Sequence, residues 1–305
     1  MTFETTRSLV ARALAAAAGT DEPPEATVAV YAAVAEQVTQ RAQGNGPLIV
    51  GICGSQGSGK STLARVLQQA LDHAGLPTAQ FSLDDIYLTL AERARLAETV
   101  HPLLRTRGVP GTHDVALGLA TLTALEQAGP DSETPLPAFD KSSDDRRPEA
   151  NWPYFRGRPR VILFEGWCVG ARPQDEQALA KPINALERDS DPDGTWRRFV
   201  NQRLQAEYQA LFGQLDMLVL LRAPSFETVF AWRKQQEDHL REKLRTQGRD
   251  VAMPGVMNDA ALERFIRHYE RITRHILAEM PPRADICLSL RPDRSIADIA
   301  LARPQ

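Results

Sequence analysis

Cysteine is scarce in this 305-residue chain, and its three copies do not make a framework. Cys53, Cys168 and Cys287 lie in or beside apolar runs without metal-ligand spacing, so reduced, buried thiols are expected, in keeping with a cytoplasmic setting. Long apolar runs are also lacking, and none approaches the ~20 residues a membrane-spanning helix needs. Nor does one sign of charge dominate: Lys and Arg number 36 against 39 Asp and Glu, for a net charge of −3. Without a long basic block a nucleic-acid surface is not expected, and a small anionic ligand is favoured over a polyanion. There is no internal repeat and no low-complexity segment. The N-terminal stretch has the arginines and alanines of a targeting peptide, but Glu4 and the helical spacing of Phe3, Leu9, Val10, Ala13 and Leu14 favour an amphipathic helix of the mature protein.

What is present is concentrated between Pro47 and Leu63, PLIVGICGSQGSGKSTL. Gly54, Gly59, Lys60 and Ser61 match G-x-x-x-x-G-K-[ST] between an apolar strand and a helical continuation. Glycines at 54, 57 and 59 free the backbone so that the amides of Ser55, Gln56 and Ser58 can turn around phosphate oxygens. Lys60 reaches the β- and γ-phosphates, the Ser61 hydroxyl suits Mg²⁺, and the helix beginning with Lys60, Ser61 and Thr62 points its positive end at the same anion. ATP and Mg²⁺ are the expected cofactors.

Around this loop the periodicity predicts an α/β chain: a helical extension over 1–45 and a nucleotide-binding domain over 46–305. A strand from Thr78 to Leu83 ends in Asp84-Asp85, where an open parallel sheet presents ligands, although either acid also suits a helix cap. The Arg- and Gly-rich loop 101–113 offers Arg105, Arg107 and His113 as an anion pocket, or as solvated charge. Residues 130–159 are long and polar, which marks a functional or disordered segment. The strand 160–164 ends at Glu165, an acid able to hold Mg²⁺ or its water. A helix over 195–212, a strand over 216–221, a charged helix, a helix over 259–280 and a strand over 285–290 complete the pattern. The charged helix carries Arg233, Lys234, Arg241, Lys243 and Arg245 and suits a lid over about 225–257 that closes on phosphates.

With GSQGSGKSTL, FSLDDIYLT, RGVPGTHD, FDKS followed by DDRR, ILFEGWCVG and PGVMNDAALERFIRHYERITRHIL in place, the chain resembles the phosphoribulokinase, uridine kinase and pantothenate kinase group of P-loop kinases. Within that group it is most similar to the D-glycerate kinases of plant and fungal type. The resemblance implies a P-loop fold with a five-stranded, mostly parallel sheet, and transfer of phosphate from Mg-ATP to a hydroxyl of a small hydroxy acid. It gives Asp84 the acceptor proton, leaves the role of Asp85 open, sets Glu165 after the second-motif strand, and makes Arg233 the lid cation. Tyr87, Arg105, Arg107 and His113 fall in the acceptor segments, with Lys141 and Arg146 in a second acceptor loop. Other acceptors of the group (a nucleoside, pantothenate, a sugar phosphate), a nucleotide-dependent switch, a hydrolase and a kinase of macromolecules are the competing readings. Which glycerate hydroxyl would react is not written in the sequence.

Overall fold

A computed structural model of the chain describes residues 3–19, 22–246 and 257–302. Helices α1 (Phe3–Ala18) and α2 (Glu25–Arg41) precede β1 (Leu48–Gly54), α3 (Lys60–His73), β2 (Thr78–Ser82), α4 (Leu90–Thr99) and α5 (Val115–Glu126). Four short strands follow, β3 (Glu133–Pro135), β4 (Phe139–Asp140), β5 (Asp145–Arg146) and β6 (Tyr154–Arg156), and then β7 (Val161–Gly166). Helices α6 (Glu176–Leu179), α7 (Ala185–Ser190), α8 (Thr195–Gln205) and α9 (Glu207–Phe212) lead to β8 (Met217–Arg222), α10 (Phe226–Thr246), α11 (Asp259–Glu279), β9 (Ile286–Leu290) and β10 (Ile296–Leu301).

The main sheet runs β10-β9-β8-β1-β7-β2. β1 is central, parallel to β7 on one side and β8 on the other, with Cys53 opposite both Gly166 and Leu220. Its IVGIC run and the VILF run of β7 are buried throughout, the pattern of strands covered by helices on both faces. The five strands read from the sequence form this parallel array. A sixth, β10, pairs antiparallel with β9. The chain reverses there because Arg294 adopts φ 69° and Arg291 N–H bonds to the Ser295 carbonyl at 2.8 Å.

Two other segments differ from the sequence reading. The helix expected over 195–212 is two helices, because Ala206 takes ψ −102° and breaks the ladder between α8 and α9. The polar stretch 130–159 carries two small ladders, β3 with β6 and β4 with β5, joined by turns and irregular chain.

Val10, Ala13 and Leu14 of α1 and Val28, Val34 and Val38 of α2 belong to one apolar cluster with Leu63, Leu67 and Leu71 of α3. Arg160 fastens the link into β1, its guanidinium donating to the Ala42 carbonyl at 2.6 Å. The three thiols are free and buried, and burial pushes that of Cys53 up to about 12. Among the described residues no helix is long and apolar enough to cross a membrane.

Candidate active site

Parallel strands deliver their C-terminal ends to one edge of the sheet, and there a cleft of about 1130 Å³ opens. Its walls are Gln56, Gly57, Lys60 and Ser61 below and Asp84 and Asp85 beyond β2. Arg105, Arg107, Lys141 and Asp144 line one side, with Arg233 of α10 and Tyr269 of α11 opposite.

The phosphate loop has the shape its glycines permit. Gly57 and Gly59 sit at φ 79° and 90°, in the left-handed region, and a Cβ on Gly57 would lie 2.7 Å from Trp232 Cβ. Gly54 ends β1, and Thr62 lies on the first turn of α3. Ser55 Oγ, Gln56 Oε1 and Ser58 Oγ are buried without a hydrogen-bond partner among the described residues. Ser61 Oγ donates to Glu165 Oε1 at 2.7 Å, while Glu165 Oε2 has no hydrogen bond among the described residues and lies 3.9 Å from Lys60 Nζ. A buried carboxylate oxygen without a donor, beside a hydroxyl and an ammonium, fits a Mg²⁺ held between Ser61, Glu165 and phosphate oxygens. Mg²⁺ takes one or two carboxylates plus phosphates and waters rather than a protein cage. No cluster of three or more His, Cys, Asp or Glu side chains able to hold a metal occurs among the described residues.

Across from the loop, Asp84 accepts from Tyr87 Oη at 2.7 Å and from Lys141 Nζ at 2.7 Å. Burial works against its charge, but the Lys141 and Lys60 ammoniums and these two hydrogen bonds outweigh it. They hold the Asp84 carboxyl well below the usual carboxylate range. Asp85 turns back instead to cap its own 3₁₀ turn: its carboxylate accepts from Ser82 N–H at 3.0 Å while Ser82 Oγ accepts from Asp84 N–H at 3.1 Å. Burial, joined by the neighbouring Asp84 charge, raises the Asp85 carboxyl to about 6.

The cationic residues divide. Arg105 lines the cleft without an ion pair or side-chain hydrogen bond among the described residues. Arg107 pairs with Asp144 and lies over the Phe139 ring. Arg233 reaches the cleft and pairs with the buried Glu237 at 2.8 Å, whose other oxygen accepts from Met257 N–H at 2.7 Å. Lys234 and Arg241 turn away to Asp259, and Arg245 to Glu242. The side chain of Lys243 and lid positions 247–256 lie outside the described residues.

Two expected acceptor contacts are corrected. His113 is buried behind the wall, stacked on Tyr87 with ring centroids 4.6 Å apart, with Nδ1 2.6 Å from Tyr208 Oη. An antiparallel bridge between Tyr87 and His113 sets the two side by side and gives the cleft side to Tyr87. Arg146 pairs with Asp114 at 2.8 Å, the cap of α5. It stands at the base of the β4–β5 hairpin, opposite Phe139, whereas the tip carries Lys141 and Asp144 into the cleft.

The sequence reading assigned no role to Arg93, Asp144, Trp167, Glu237 or Tyr269, all of which join or brace the site. Asp144 stands in the DDRR stretch and Trp167 in FEGW, so those words carried a signal; Arg93 and Glu237 sit in ordinary charged helix.

No known family profile matches the chain. An uncharacterized kinase of Schizosaccharomyces pombe is 37% identical over 232 residues, spanning 73% of this chain and 78% of its own. A chloroplastic D-glycerate 3-kinase of Arabidopsis thaliana is 30% identical over 258 residues, 82% of this chain and 52% of the plant protein. The match thus spans about half the length of that relative. The solved structure of a D-glycerate 3-kinase from Cryptococcus neoformans superposes with a TM-score of 0.71 at 26% identity, covering 90% of this chain and 99% of that one. A phosphate loop on β1, an acid after β2 and a second acid at the end of β7 thus come together with relatives of one kind: the chain belongs to the D-glycerate kinase family of P-loop kinases, phosphotransferases with an alcohol as acceptor.

Proposed function

We propose that this protein transfers the γ-phosphate of ATP to D-glycerate, at the 3-hydroxyl by the wording of its plant and fungal relatives. The observation that carries the reading is the placement of Asp84 opposite Lys60 and Glu165 in a cleft that also holds the unpaired Arg105. A hydroxy acid needs both features: a carboxylate to align its hydroxyl and a guanidinium to fix its own carboxylate, for which two parallel hydrogen bonds set direction as well as charge.

Phosphoryl transfer rests on positioning and charge neutralisation. The loop amides and Lys60 bind the phosphates. Arg233, oriented by Glu237, faces them from α10. Asp84 accepts the acceptor hydroxyl and takes its proton late, since a carboxyl held below the usual range is a weak base. Ser61 and Glu165 would hold Mg²⁺, which would supply charge neutralisation on the phosphate oxygens. α1 and α2 are read as a packing extension of the nucleotide-binding domain. The buried free thiols favour a reducing, cytoplasmic setting, and neither nucleic acid nor membrane is needed as a partner.

The test is ADP release by the purified protein with Mg-ATP and D-glycerate, L-glycerate, uridine, pantothenate or ribulose 5-phosphate, with the product position read by phosphorus NMR. Turnover on D-glycerate giving the 3-phosphate supports the reading. Turnover on another acceptor, with glycerate silent, overturns it.

A further inference from the structure

Arg93 has no exposed surface at all, although it stands in the first turns of α4. A buried guanidinium is costly unless its donors are met. Here they are met by three separate stretches of chain. Nε donates to the Leu88 carbonyl at 3.2 Å, Nη1 to the Arg105 carbonyl at 3.0 Å, and Nη2 to the Asp144 carbonyl at 2.6 Å. The Asp144 carboxylate closes the arrangement with an ion pair at 3.1 Å.

Each of these stretches walls the acceptor side of the cleft. Leu88 directly follows Tyr87, which bonds Asp84. The Arg105 carbonyl belongs to the loop that presents Arg105 and Arg107. Asp144 sits on the hairpin tip with Lys141, and it holds φ 55°, a conformation uncommon for a residue with a side chain. Arg93 grips Asp144 by both its main chain and its carboxylate, and that same carboxylate pairs with Arg107. Further along the cationic loop, Tyr269 Oη donates to the Arg107 carbonyl at 3.0 Å and Trp167 Nε1 to the Gly108 carbonyl at 2.8 Å. The loop is therefore held from behind, with its two arginines forward.

We propose that Arg93 is a positioning residue for the acceptor, locking the 105–107 loop to the 139–146 hairpin so that Asp84, Lys141, Arg105 and Arg107 meet the substrate in one fixed arrangement. It touches none of the reacting groups. The proposal rests on the kinase reading above for which side of the cleft is the acceptor side. Lysine would not substitute, because three donors on one nitrogen cannot span three segments as a planar fork does.

The test compares the full-length protein with Arg93→Lys in two ways. In steady state, the variant should raise KM for the acceptor by about 10- to 100-fold and leave KM for ATP within about twofold, since a misplacement of an ångström is enough for such a loss. Equal changes in both constants, or none, overturn the proposal. Hydrogen exchange of the free proteins should be faster in the variant at 101–108 and 139–146 but unchanged at 54–62; uniform change or no change overturns it without any need for turnover. If the unaltered protein ignores glycerate and phosphorylates another alcohol, the glycerate assignment alone falls, and the KM ratio is read on that alcohol. Should Arg93→Lys not fold, Asp144→Ala removes the carboxylate that Arg93 and Arg107 share and leaves Arg93 its bond to the main-chain carbonyl. Faster exchange at 101–108 in that variant supports the coupling, and unaltered exchange there overturns it.

Discussion

Lys141 Nζ stands 2.7 Å from Asp84 Oδ2 across 57 positions of sequence, while Tyr87 Oη holds the other oxygen at 2.7 Å. The ammonium is on an exposed hairpin tip, so its removal leaves the fold intact and acts on Asp84 alone. Lys141→Ala should lower kcat about 10- to 100-fold, within the range of lost charge-assisted contacts at a reacting group. The acid limb of the kcat/KM profile should also move upward in pH, because the Lys141 charge is the chief influence lowering the Asp84 carboxyl. Asp84→Asn should cost about 10²- to 10⁴-fold in kcat with ATP affinity retained. Pre-steady-state and pH–rate measurements check both; an asparagine variant with full turnover would remove Asp84 from the chemistry.

Glu165 accepts from the Ser61 hydroxyl at 2.7 Å. Glu165→Gln keeps the size and loses the charge. We expect the Mg²⁺ concentration for half-maximal rate to rise about 10- to 100-fold, with Ser61→Ala in the same direction. A Mg²⁺ titration at fixed free ATP reads this, and an unchanged midpoint for both variants would place the ion elsewhere.

Gly108 cannot carry a side chain. Its φ is 134°, and a Cβ there would fall 1.9 Å from Tyr269 Oη. Gly108→Ala should destabilise the protein by about 2–5 kcal/mol, from backbone strain plus overpacking. Adding Tyr269→Phe should return just part of this, because ring carbons Cζ and Cε1 would still lie 2.4 and 2.7 Å from the added Cβ and the strained φ stays. Denaturant unfolding of the single and double variants reads the share owed to the hydroxyl.

The pH dependence of stability carries opposing signs. Burial lowers His113 from 6.5 to about 3, so between these values the unfolded chain binds a proton that the folded protein refuses. Stability from this group is fully present above pH 6.5 and falls as the pH drops toward 3, by up to about 1.4 kcal/mol per pH unit. Asp85, raised to about 6, runs the other way: the folded protein holds a proton that the unfolded chain has released, so stability falls as pH rises from 3.8 toward 6. His113→Asn should flatten the acid slope and Asp85→Asn should steepen it. Unfolding free energies measured from pH 3.5 to 7.5 test both signs.

The phosphate-loop side of the cleft was legible in the sequence because its geometry is local. The GSQGSGKST turn needs its glycines, and an acid at the end of an apolar strand has one place to go in a parallel sheet. The acceptor half was less so, because its geometry is made by distant pairs. His113 and Arg146 carry the right chemistry, but a bridge to Tyr87 and a pairing with Asp114 draw them behind the wall. Arg93 reads as one more arginine on a polar helix, and its worth lies in Asp144, 51 residues on, at the tip of a hairpin with two residues per strand. The sixth strand was missed for a similar reason: IADIAL alternates weakly, and it is the Arg291–Ser295 turn that folds it onto β9.

The burial of all three thiols has a practical corollary. Cys53, Cys168 and Cys287 show 0%, 0% and 5% exposure, and burial raises each of them above the ordinary thiol range. Maleimide and iodoacetamide need an accessible thiolate, so the natural protein should stay unlabelled while folded. A single cysteine introduced at Ser143, on the exposed hairpin tip, would then take a fluorophore alone. Ligand arriving beside the tip could be followed in real time without first stripping the native cysteines.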